Sequence, residues 1–290
     1  MHTILKGTSK EVVIGEDRPF VIIGEKLNPT GIKKLGQALV EQNFDYVKHL
    51  AQRQVAWGAD LLDVNVGHPQ IDEVAIMPKV VEAVISVVDV PLCIDSNEPK
   101  ILEAGLRIAP GKPLVNSVNG EEKQLASVLP IVKDRGAAVI GLTIAEEGIP
   151  ATAEERLAAA GTIIERAMKM GIPIEDIIID PLVMTVGHNS QAAMVTLKTI
   201  QLVKKEYGVN ISLGASNVSF GLPDRHAVNS AFLALAIQAG ATCSITDPIK
   251  LGNTIRATDL LLGKDSNSIR YLKYFRATEK LREQEAALKV

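Results

Sequence analysis

Short apolar runs recur along the chain, and each is followed by a polar residue and then by a longer stretch with helical periodicity. Runs that are apolar throughout, rather than alternating, are typical of parallel strands buried on both faces of a sheet. The pattern therefore predicts strands that alternate with helices. The eight runs are VIIGEKLN from Val21, ADLLDVNVG from Ala59, PLCIDSN from Pro91, LVNSVNG from Leu114, AAVIGLTI from Ala137, IIIDPLV from Ile177, ISLGASN from Ile211 and CSITDP from Cys243.

The segments between the runs carry helix start and stop signals. Thr152 stands three residues before Glu155, which is the spacing of a capping box at a helix N-terminus. Eight strand–helix units in about 240 residues predict a (β/α)₈ barrel, a TIM barrel of the α/β class, with a doubly wound open sheet as the alternative. Four of the predicted helices end on a glycine just before the following strand, as is common at helix C-termini. These glycines are Gly58, Gly136, Gly171 and Gly240.

The two ends of the chain lie outside these eight units. Near the N-terminus, ILKGTSKEVVIGEDRPF alternates like a hairpin, which predicts a cap over the barrel floor. At the other end, SIRYLKYFRATEKLREQEAALKV predicts a further amphipathic helix with a solvated charged face. No linker, low-complexity tract or charge block divides the chain, so residues 1–290 are predicted to form a single domain.

Composition and charge narrow the class of ligand and the location. The 31 basic and 34 acidic residues give a net charge of −3, and no basic patch interleaved with aromatic residues occurs, so no nucleic-acid partner is expected. Cys93 and Cys243 lie in apolar runs without a CxxC partner, which predicts buried thiols in a reducing compartment. The N-terminus lacks an apolar h-region, and no run approaches the roughly 18 apolar residues of a membrane span. A soluble, cytoplasmic protein without a membrane partner is expected.

The polar residues that end the runs carry the chemistry, because the active site of a parallel barrel forms at the carboxyl ends of its strands. Nearly every run ends on an acid or an amide, and apart from Lys26 there is almost no Lys, Arg or His among these residues. Paired donors and acceptors of this kind suit a flat, neutral heterocycle rich in N–H and C=O groups. The set comprises Glu25, Asn28, Asp63, Asn65, Asp95, Ser96, Asn97, Asn116, Thr143, Asp180, Ser216, Asn217 and Asp247.

Two other classes of site fit this set less well. A phosphate-binding barrel needs a glycine-rich turn with helix N-terminal amides, and no convincing one occurs. A metal hydrolase needs clustered histidines, and the five histidines are scattered, so no metal site is predicted. A single Asp or Asn at a strand end also commonly caps the next helix, as Asn97 before Pro99 illustrates, so the whole set supports the prediction more than any one member.

The strand-end motifs together resemble the pterin-binding methyltransferase family, which includes the methyltetrahydrofolate:corrinoid protein methyltransferases and the folate-binding module of cobalamin-dependent methionine synthase. The resemblance implies a (β/α)₈ barrel, a homodimer, and transfer of a methyl group between N5 of tetrahydrofolate and the cobalt of a separate corrinoid protein. It extends in order from about residue 20 to about residue 265. The motifs are IGEKLNPTGIKKL, LLDVNVG, LCIDSNEPKILEAGL, VNSVNGE, IIIDPLV and LGASNVSFGLPDR.

The resemblance also implies roles for individual residues. Asp95, Asn116 and Asp180 would hydrogen-bond the pterin ring. Asn217 would lie close to N5 and activate it through a hydrogen bond, with Asp180 as the second catalytic residue. The remaining pocket residues would be Gly214 and Ser216 around the ring, Arg225 near the folate tail, and Glu25, Asn28, Asp63 and Asn65 at the pocket floor.

The direction of transfer is left open by the sequence, with a lean towards forming methyltetrahydrofolate in a demethylation pathway. DRHAVN at 224–229 differs from the Asp-x-His-x-x-Gly motif of a cobalamin module, because Asn229 replaces the glycine, so the corrinoid is expected on a partner protein. One alternative is a dihydropteroate synthase, whose cationic GTSRK and Arg-x-His motifs are replaced here by GASNVSF and SITDP. The other alternative is a non-catalytic folate-binding subunit.

Overall fold

The order of elements matches the predicted alternation of strands and helices in the computed structural model, which describes residues 1–287. The strands are β1 (His2–Lys6), β2 (Glu11–Gly15), β3 (Val21–Leu27), β4 (Leu61–Val64), β5 (Leu92–Asp95), β6 (Leu114–Asn119), β7 (Ala138–Leu142), β8 (Ile177–Asp180), β9 (Asn210–Ile211) and β10 (Cys243–Thr246). The helices are α1 (Lys33–Val40), α2 (Phe44–Ala56), α3 (Glu73–Ile85), α4 (Pro99–Ile108), α5 (Glu122–Arg135), α6 (Ala153–Met170), α7 (Ala192–Tyr207), α8 (Arg225–Ala239), α9 (Pro248–Leu261) and α10 (Ile269–Ala287).

Eight parallel strands form one sheet that closes on itself, in the order β10-β3-β4-β5-β6-β7-β8-β9. At the closing edge, the backbone N–H of Ile245 in β10 donates to the carbonyl of Leu213 at 3.0 Å, and Gly214 forms a parallel bridge with Ile245. A helix follows each strand and covers the outside of the sheet. The predicted (β/α)₈ barrel is therefore confirmed, and the doubly wound open sheet is wrong.

The predicted hairpin of β1 and β2 closes the amino-terminal end of the barrel. Leu5, Val12 and Ile14 are buried in one cluster with the apolar side chains that fill the barrel interior. The side-chain amide of Asn210 in β9 donates to the Thr3 hydroxyl at 2.9 Å and so ties the hairpin to the barrel. With the floor closed in this way, the carboxyl ends of the strands form the mouth.

The helix boundaries follow the local signals in the sequence. The Thr152 hydroxyl accepts from the backbone N–H of Glu155 at 3.2 Å, and the Glu155 carboxylate accepts from the backbone N–H of Thr152 at 3.0 Å. This reciprocal pair is the predicted capping box at the start of α6. All four predicted stop glycines have positive φ, as a helix terminus of this type requires. Within residues 1–287, no helix is both long and apolar enough to cross a membrane.

The structure differs from the predicted elements in three segments. The segment between β3 and β4 holds two helices, α1 and α2, rather than a single helical stretch. The predicted seventh strand keeps only the two residues of β9, because the chain turns into the 3₁₀ helix Ala215–Ser219, which places Ser216 and Asn217 on the rim. On α10 the apolar side chains of Leu272 and Phe275 are exposed, and the predicted helical residues 288–290 lie outside the described residues.

Candidate active site

Four of the predicted site residues form one hydrogen-bonded group at the ends of β4, β5 and β6, which we call the acid–amide cluster: Asp63, Asn65, Asp95 and Asn116. The Asn116 amide donates to Asp63 Oδ1 at 3.1 Å, and the Asn65 amide donates to Asp95 Oδ2 at 3.0 Å. The backbone N–H of Gly67 donates to Asn65 Oδ1 at 2.7 Å, which fixes the orientation of that amide. The residues thus hold one another in place at the bottom of the mouth.

Both carboxyl groups of the acid–amide cluster have raised pKa values. Burial raises the pKa of Asp63 well above its ordinary value, and the neighbouring charge of Asp95 raises it further. Burial also raises the pKa of Asp95, but hydrogen bonds from Asn65 and Asp63 oppose that rise. Asp63 is the deeper group, so burial disfavours its charged form more strongly than that of Asp95. The cluster therefore presents donors and acceptors together, as an edge of a neutral heterocycle requires.

Asp180 ends β8 on the next sector of the mouth and is 6% exposed. Burial raises its pKa to about 7, against the opposing effects of the Leu182 backbone N–H, the Arg156 guanidinium and the Gly214 backbone. The Leu182 N–H donates to Asp180 Oδ1 at 2.8 Å, and the Gly214 backbone also hydrogen-bonds this carboxyl group. A carboxyl with this pKa changes its ionisation with modest changes in its surroundings.

Arg156 supports this part of the mouth and is absent from the predicted site. Its guanidinium is buried and donates to the backbone carbonyls of Pro150, Pro181 and Leu182 at distances of 2.8 to 3.1 Å. It thereby ties the chain before α6 to the chain after β8. The signal was present in the sequence, because Arg156 shares the apolar face of α6 with Ala160 and Ile163, and a cation on such a face requires partners.

The ends of β3 and β10 and the turn after β9 form a second group, which we call the ion-paired cluster: Glu25, Lys26, Ser216, Arg225 and Asp247. Lys26 Nζ lies 2.9 Å from Glu25 Oε1 and 3.2 Å from Asp247 Oδ2. Burial lowers the pKa of Lys26, but the two carboxylates outweigh it and keep that pKa above its ordinary value. The Ser216 hydroxyl donates to Glu25 Oε2 at 3.3 Å, which joins the turn to β3.

Arg225 holds the turn that carries Ser216 and Asn217. Its Nη2 donates to the Ser216 carbonyl at 2.7 Å, and its Nε donates to the Ser219 hydroxyl at 3.0 Å. The guanidinium also lies over the Phe220 ring, 5.9 Å from the ring centroid. These contacts fix the turn and leave the charge of Arg225 at the rim.

Asn28 and Asn217 differ in whether their side-chain amides form hydrogen bonds with the rest of the protein. Asn28 Oδ1 accepts from the backbone N–H of Thr30 at 3.0 Å, so this oxygen stabilises the turn after β3. Asn217 is exposed at the rim, and its side-chain amide makes no hydrogen bond within residues 1–287. Gly214 lies directly beneath it, because the Asn217 Nδ2 is 3.4 Å from the point where a Cβ of residue 214 would stand. The Asn217 amide is therefore available to a ligand.

The cysteines and the acidic residues do not form a metal site within residues 1–287. In the part of the chain that the structure describes, no group of three or more His, Cys, Asp or Glu side chains is arranged to hold a metal ion. Cys93 and Cys243 are buried free thiols, as predicted from their apolar runs. Burial raises the pKa of Cys243 to about 12, so this thiol is un-ionised at neutral pH.

Fold and mouth together define a (β/α)₈ barrel whose candidate site is built from side-chain carboxyl and amide groups. The chain belongs to the pterin binding enzyme family, whose model matches residues 24–247. The family resemblance inferred from the strand-end motifs is confirmed.

Two curated relatives are similar to this chain. A methylcorrinoid:tetrahydrofolate methyltransferase of Eubacterium limosum is 33% identical over 262 residues, which cover 89% of this chain and 96% of that protein. The methionine synthase of Mycobacterium tuberculosis is 31% identical over 253 residues, which cover 83% of this chain but 21% of that much longer protein.

Solved structures of dihydropteroate synthases share the fold. The enzyme from Yersinia pestis superposes with a TM-score of 0.68 at 19% identity, covering 91% of this chain and 100% of that chain. The Xanthomonas albilineans enzyme in complex with 7,8-dihydropteroate gives a TM-score of 0.65 at 20% identity, covering 86% of this chain and 96% of that chain. At these identities the likeness establishes the barrel architecture alone.

Proposed function

We propose that this protein is a methyltransferase that moves a methyl group between N5 of tetrahydrofolate and the cobalt of a corrinoid bound to a separate protein. We further propose that the physiological direction forms methyltetrahydrofolate. The activity for which the Eubacterium limosum relative is named supports both the reaction and its direction, and that relative aligns over nearly its whole length. The methionine synthase relative supports the folate substrate only through its matching segment.

The observation that carries the proposal is the pairing of carboxyl and amide side chains in the acid–amide cluster. The 2-amino-4-oxo edge of a pterin presents N–H donors beside a carbonyl acceptor. A carboxylate that is held by an amide, as Asp95 is by Asn65, can accept from those donors without losing its support. Asn116 and Asp180 offer further hydrogen-bonding groups to the same edge of the pterin. Burial disfavours the ionised form of Asp180, so its carboxylate needs N–H donors from the ring.

Asn217 is the group that we place beside N5. In the proposed direction N5 loses a proton to solvent as it takes the methyl group, and in the other direction N5 gains a proton as the methyl group leaves. An amide can accept from the N5 proton or donate to the N5 lone pair, so it can stabilise the nitrogen in both states. The docked corrinoid protein supplies or accepts the methyl group. A contact that strengthens in the transition state lowers the barrier.

A spectroscopic mixing experiment tests the proposal. The purified protein is mixed with a Co(I) corrinoid and methyltetrahydrofolate, and the cobalt absorbance is followed. We expect conversion of the Co(I) spectrum to that of methylcobalt(III), with the reverse change when methylcobalt(III) and tetrahydrofolate are supplied. An unchanged spectrum together with tight folate binding would show a non-catalytic folate-binding subunit instead.

A dihydropteroate synthase activity receives no support from the site. The shared barrel does not discriminate the two reactions, and Arg225 is the one cation of the β9 turn within the described residues. Lys26, the neighbouring cation, is neutralised by Glu25 and Asp247. A site for a diphosphate leaving group needs cations that face the ligand free of such partners.

The single domain, the homodimer and the cytoplasmic location also belong to the proposal. The exposed side chains of Met194 on α7 and Leu235 on α8 border a surface cleft of about 610 Å³, which is a face that a second copy could cover. Light scattering of the purified protein measures the number of copies directly.

A further inference from the structure

The turn that follows β8 has an uncommon backbone conformation at Leu182. This residue has a φ of 60°, a left-handed value that β-carbon sterics make unfavourable for leucine. Its N–H is the group that donates to Asp180 Oδ1 at 2.8 Å. Residues in such conformations persist only where surrounding contacts hold them, and they are concentrated at functional sites. The contacts that hold Leu182 therefore bear on the mouth.

Two buried side chains donate to the carbonyl of Leu182. Arg156 Nη1 on α6 and the Thr196 hydroxyl on α7 each lie 2.8 Å from this oxygen. Arg156 is 3% exposed and Thr196 is 0% exposed. A carbonyl oxygen has two lone pairs and can accept both bonds. The second contact of the Thr196 hydroxyl, with the Ala192 carbonyl of its own helix, is longer at 3.1 Å. Two helices thus hold the turn at one atom.

The turn acts on the side chain of Asp180 more than on its backbone. The backbone N–H of Thr143 donates to the Asp180 carbonyl at 3.0 Å, which fixes the end of β8 independently of the turn. The carboxyl group is hydrogen-bonded by the Leu182 N–H and by the Gly214 backbone. A rotation of the Leu182 backbone would withdraw the first of these donors. The orientation of the carboxyl group therefore depends on the conformation of Leu182.

Arg156 also acts on Asp180 through its charge. Its guanidinium opposes the rise in the pKa of Asp180 that burial causes. The Cys243 thiol on β10 is a second titratable group that interacts with this carboxyl, and it is un-ionised at neutral pH because burial raises its pKa to about 12. Arg156 thus favours the ionised form of Asp180, which is the form that accepts hydrogen bonds from a ligand.

We propose that Arg156 and Thr196 are positioning residues, which hold the Leu182 turn and thereby keep the Asp180 carboxyl group in the orientation that accepts from the pterin ring. The inference rests on the proposed function, because it takes the ring to lie against Asp180. Both side chains act at the Leu182 carbonyl, and their effect reaches the ligand through the Leu182 N–H and Asp180. Loss of either donor should therefore weaken ring binding only while residue 180 carries a carboxyl group.

Calorimetric titration with tetrahydrofolate monoglutamate at pH 8 tests the proposal. Thr196→Val removes one donor to the Leu182 carbonyl and keeps the side-chain shape, so we expect affinity to fall about three- to tenfold. Arg156→Lys keeps the charge but loses the planar group that bonds several carbonyls, and its affinity should fall about tenfold. In an Asp180→Ala background, Thr196→Val should change the affinity by less than about twofold, because the group through which it acts is gone.

The pH profile gives a second readout, which a merely structural role of Thr196 would not move. A weaker bond from the Leu182 N–H stabilises the Asp180 carboxylate less and raises the pKa of this group. The midpoint of the rise in affinity with pH should therefore lie at a higher pH in Thr196→Val than in the wild type. Thermal melting of each variant checks folding, and the Thr196 variants decide the question if Arg156→Lys does not fold.

Thr199→Val is the matched control, because Thr199 is also a fully buried threonine of α7 but donates to the Val195 carbonyl of its own helix at 2.8 Å. It should bind like the wild type and keep the wild-type midpoint. A Thr196→Val protein with wild-type affinity, with an unmoved midpoint, or with the same loss in the Asp180→Ala background would overturn the positioning role, while wild-type binding upheld the proposed function. Absence of binding by the wild type would overturn the proposed function itself.

Discussion

On one side of the mouth, Asp63 and Asp95 face amides and each other, whereas on the other side Glu25 and Asp247 face Lys26. Burial without a cation raises the pKa of Asp63 and Asp95, so the charged forms of both carboxyl groups are disfavoured in that half of the mouth. In the second half the carboxylates keep the pKa of Lys26 high, so its charges are fixed. The same residue types thus provide a neutral recognition edge on one side and a charged surface on the other. This difference supports the proposed placement of the pterin ring against the acid–amide cluster.

Loss of an acid–amide contact should have the largest effect on ligand affinity. Asp95→Ala removes an acceptor for the ring and leaves the Asn65 amide without its partner, so we expect tetrahydrofolate affinity to fall by about 100-fold or more. Calorimetric titration with the monoglutamate measures the change. Glu103→Ala, an exposed carboxylate on α4, should have no effect. An Asp95→Ala protein that melts normally and binds within threefold of the wild type would refute the assignment of the ring to this half.

Loss of the rim amide should affect the rate rather than the affinity. We expect Asn217→Ala to lower single-turnover methyl transfer by at least about tenfold, because a contact made in the transition state is lost. Stability should stay unchanged, since the Asn217 side chain has no hydrogen-bond partner within residues 1–287. The cobalt absorbance after rapid mixing gives the rate. Asn97→Ala is the control, because Asn97 is also an exposed asparagine at a strand end, and its variant should react normally. Near-wild-type transfer by Asn217→Ala would exclude the proposed role.

The smallest of the three effects is a pH dependence of binding that originates at Asp180. With a pKa of about 7 in the free protein, its carboxyl is largely protonated at pH 6 and largely ionised at pH 8. Ring donors need the ionised form, so we expect affinity to rise about five- to tenfold from pH 6 to pH 8, with a proton released on binding below pH 7. Calorimetry in two buffers of different ionisation enthalpy measures both quantities.

Asp180→Asn is the control for this dependence and should bind more weakly but with a flatter pH profile. In the ligand-free protein, the contribution of Asp180 to the free energy of unfolding changes with pH in the opposite direction to the ligand affinity. Because the folded-state pKa lies above the ordinary value of 3.8, the folded protein holds a proton that the unfolded chain releases between about pH 4 and pH 7. The contribution of Asp180 to stability therefore falls as the pH rises through that range, and Asp180→Asn should remove that fall in urea unfolding. A wild-type affinity that is flat from pH 6 to pH 8 would argue against Asp180 as a ring ligand.

The barrel and much of the mouth could be predicted from the sequence because both depend on local patterns. Continuous apolar runs mark buried parallel strands, and the residue that ends each run stands at the mouth whatever the helices between them do. Asp63, Asn65, Asp95 and Asn116 are adjacent for this reason. Their mutual hydrogen bonds could not be predicted, since these depend on the register of neighbouring strands.

The parts that sequence reasoning missed depend on contacts between distant segments. Arg156 stands on a helix, yet its partners are carbonyls before α6 and after β8. The family resemblance places Arg225 near the folate tail. Its contacts with Ser216 and Ser219 depend on the 3₁₀ helix Ala215–Ser219, and the apolar run predicted a strand in part of that segment.

The brevity of β9 has a consequence for how the mouth can vary. Its two residues pair with β8, and on the other side the junction with β10 consists of the Gly214–Ile245 bridge, the backbone hydrogen bonds from Thr242 N–H to the Ile211 carbonyl and from Ile245 N–H to the Leu213 carbonyl, and side-chain bonds such as that from the Ser244 hydroxyl to the Leu213 carbonyl. The barrel is therefore weakly paired at this junction. In the proposed complex, the residue that contacts the reacting nitrogen lies in the turn that follows β9. Substitutions along 212–219 can reshape the reaction centre while the register of the other seven strands stays intact, so new chemistry can arise here without a new fold.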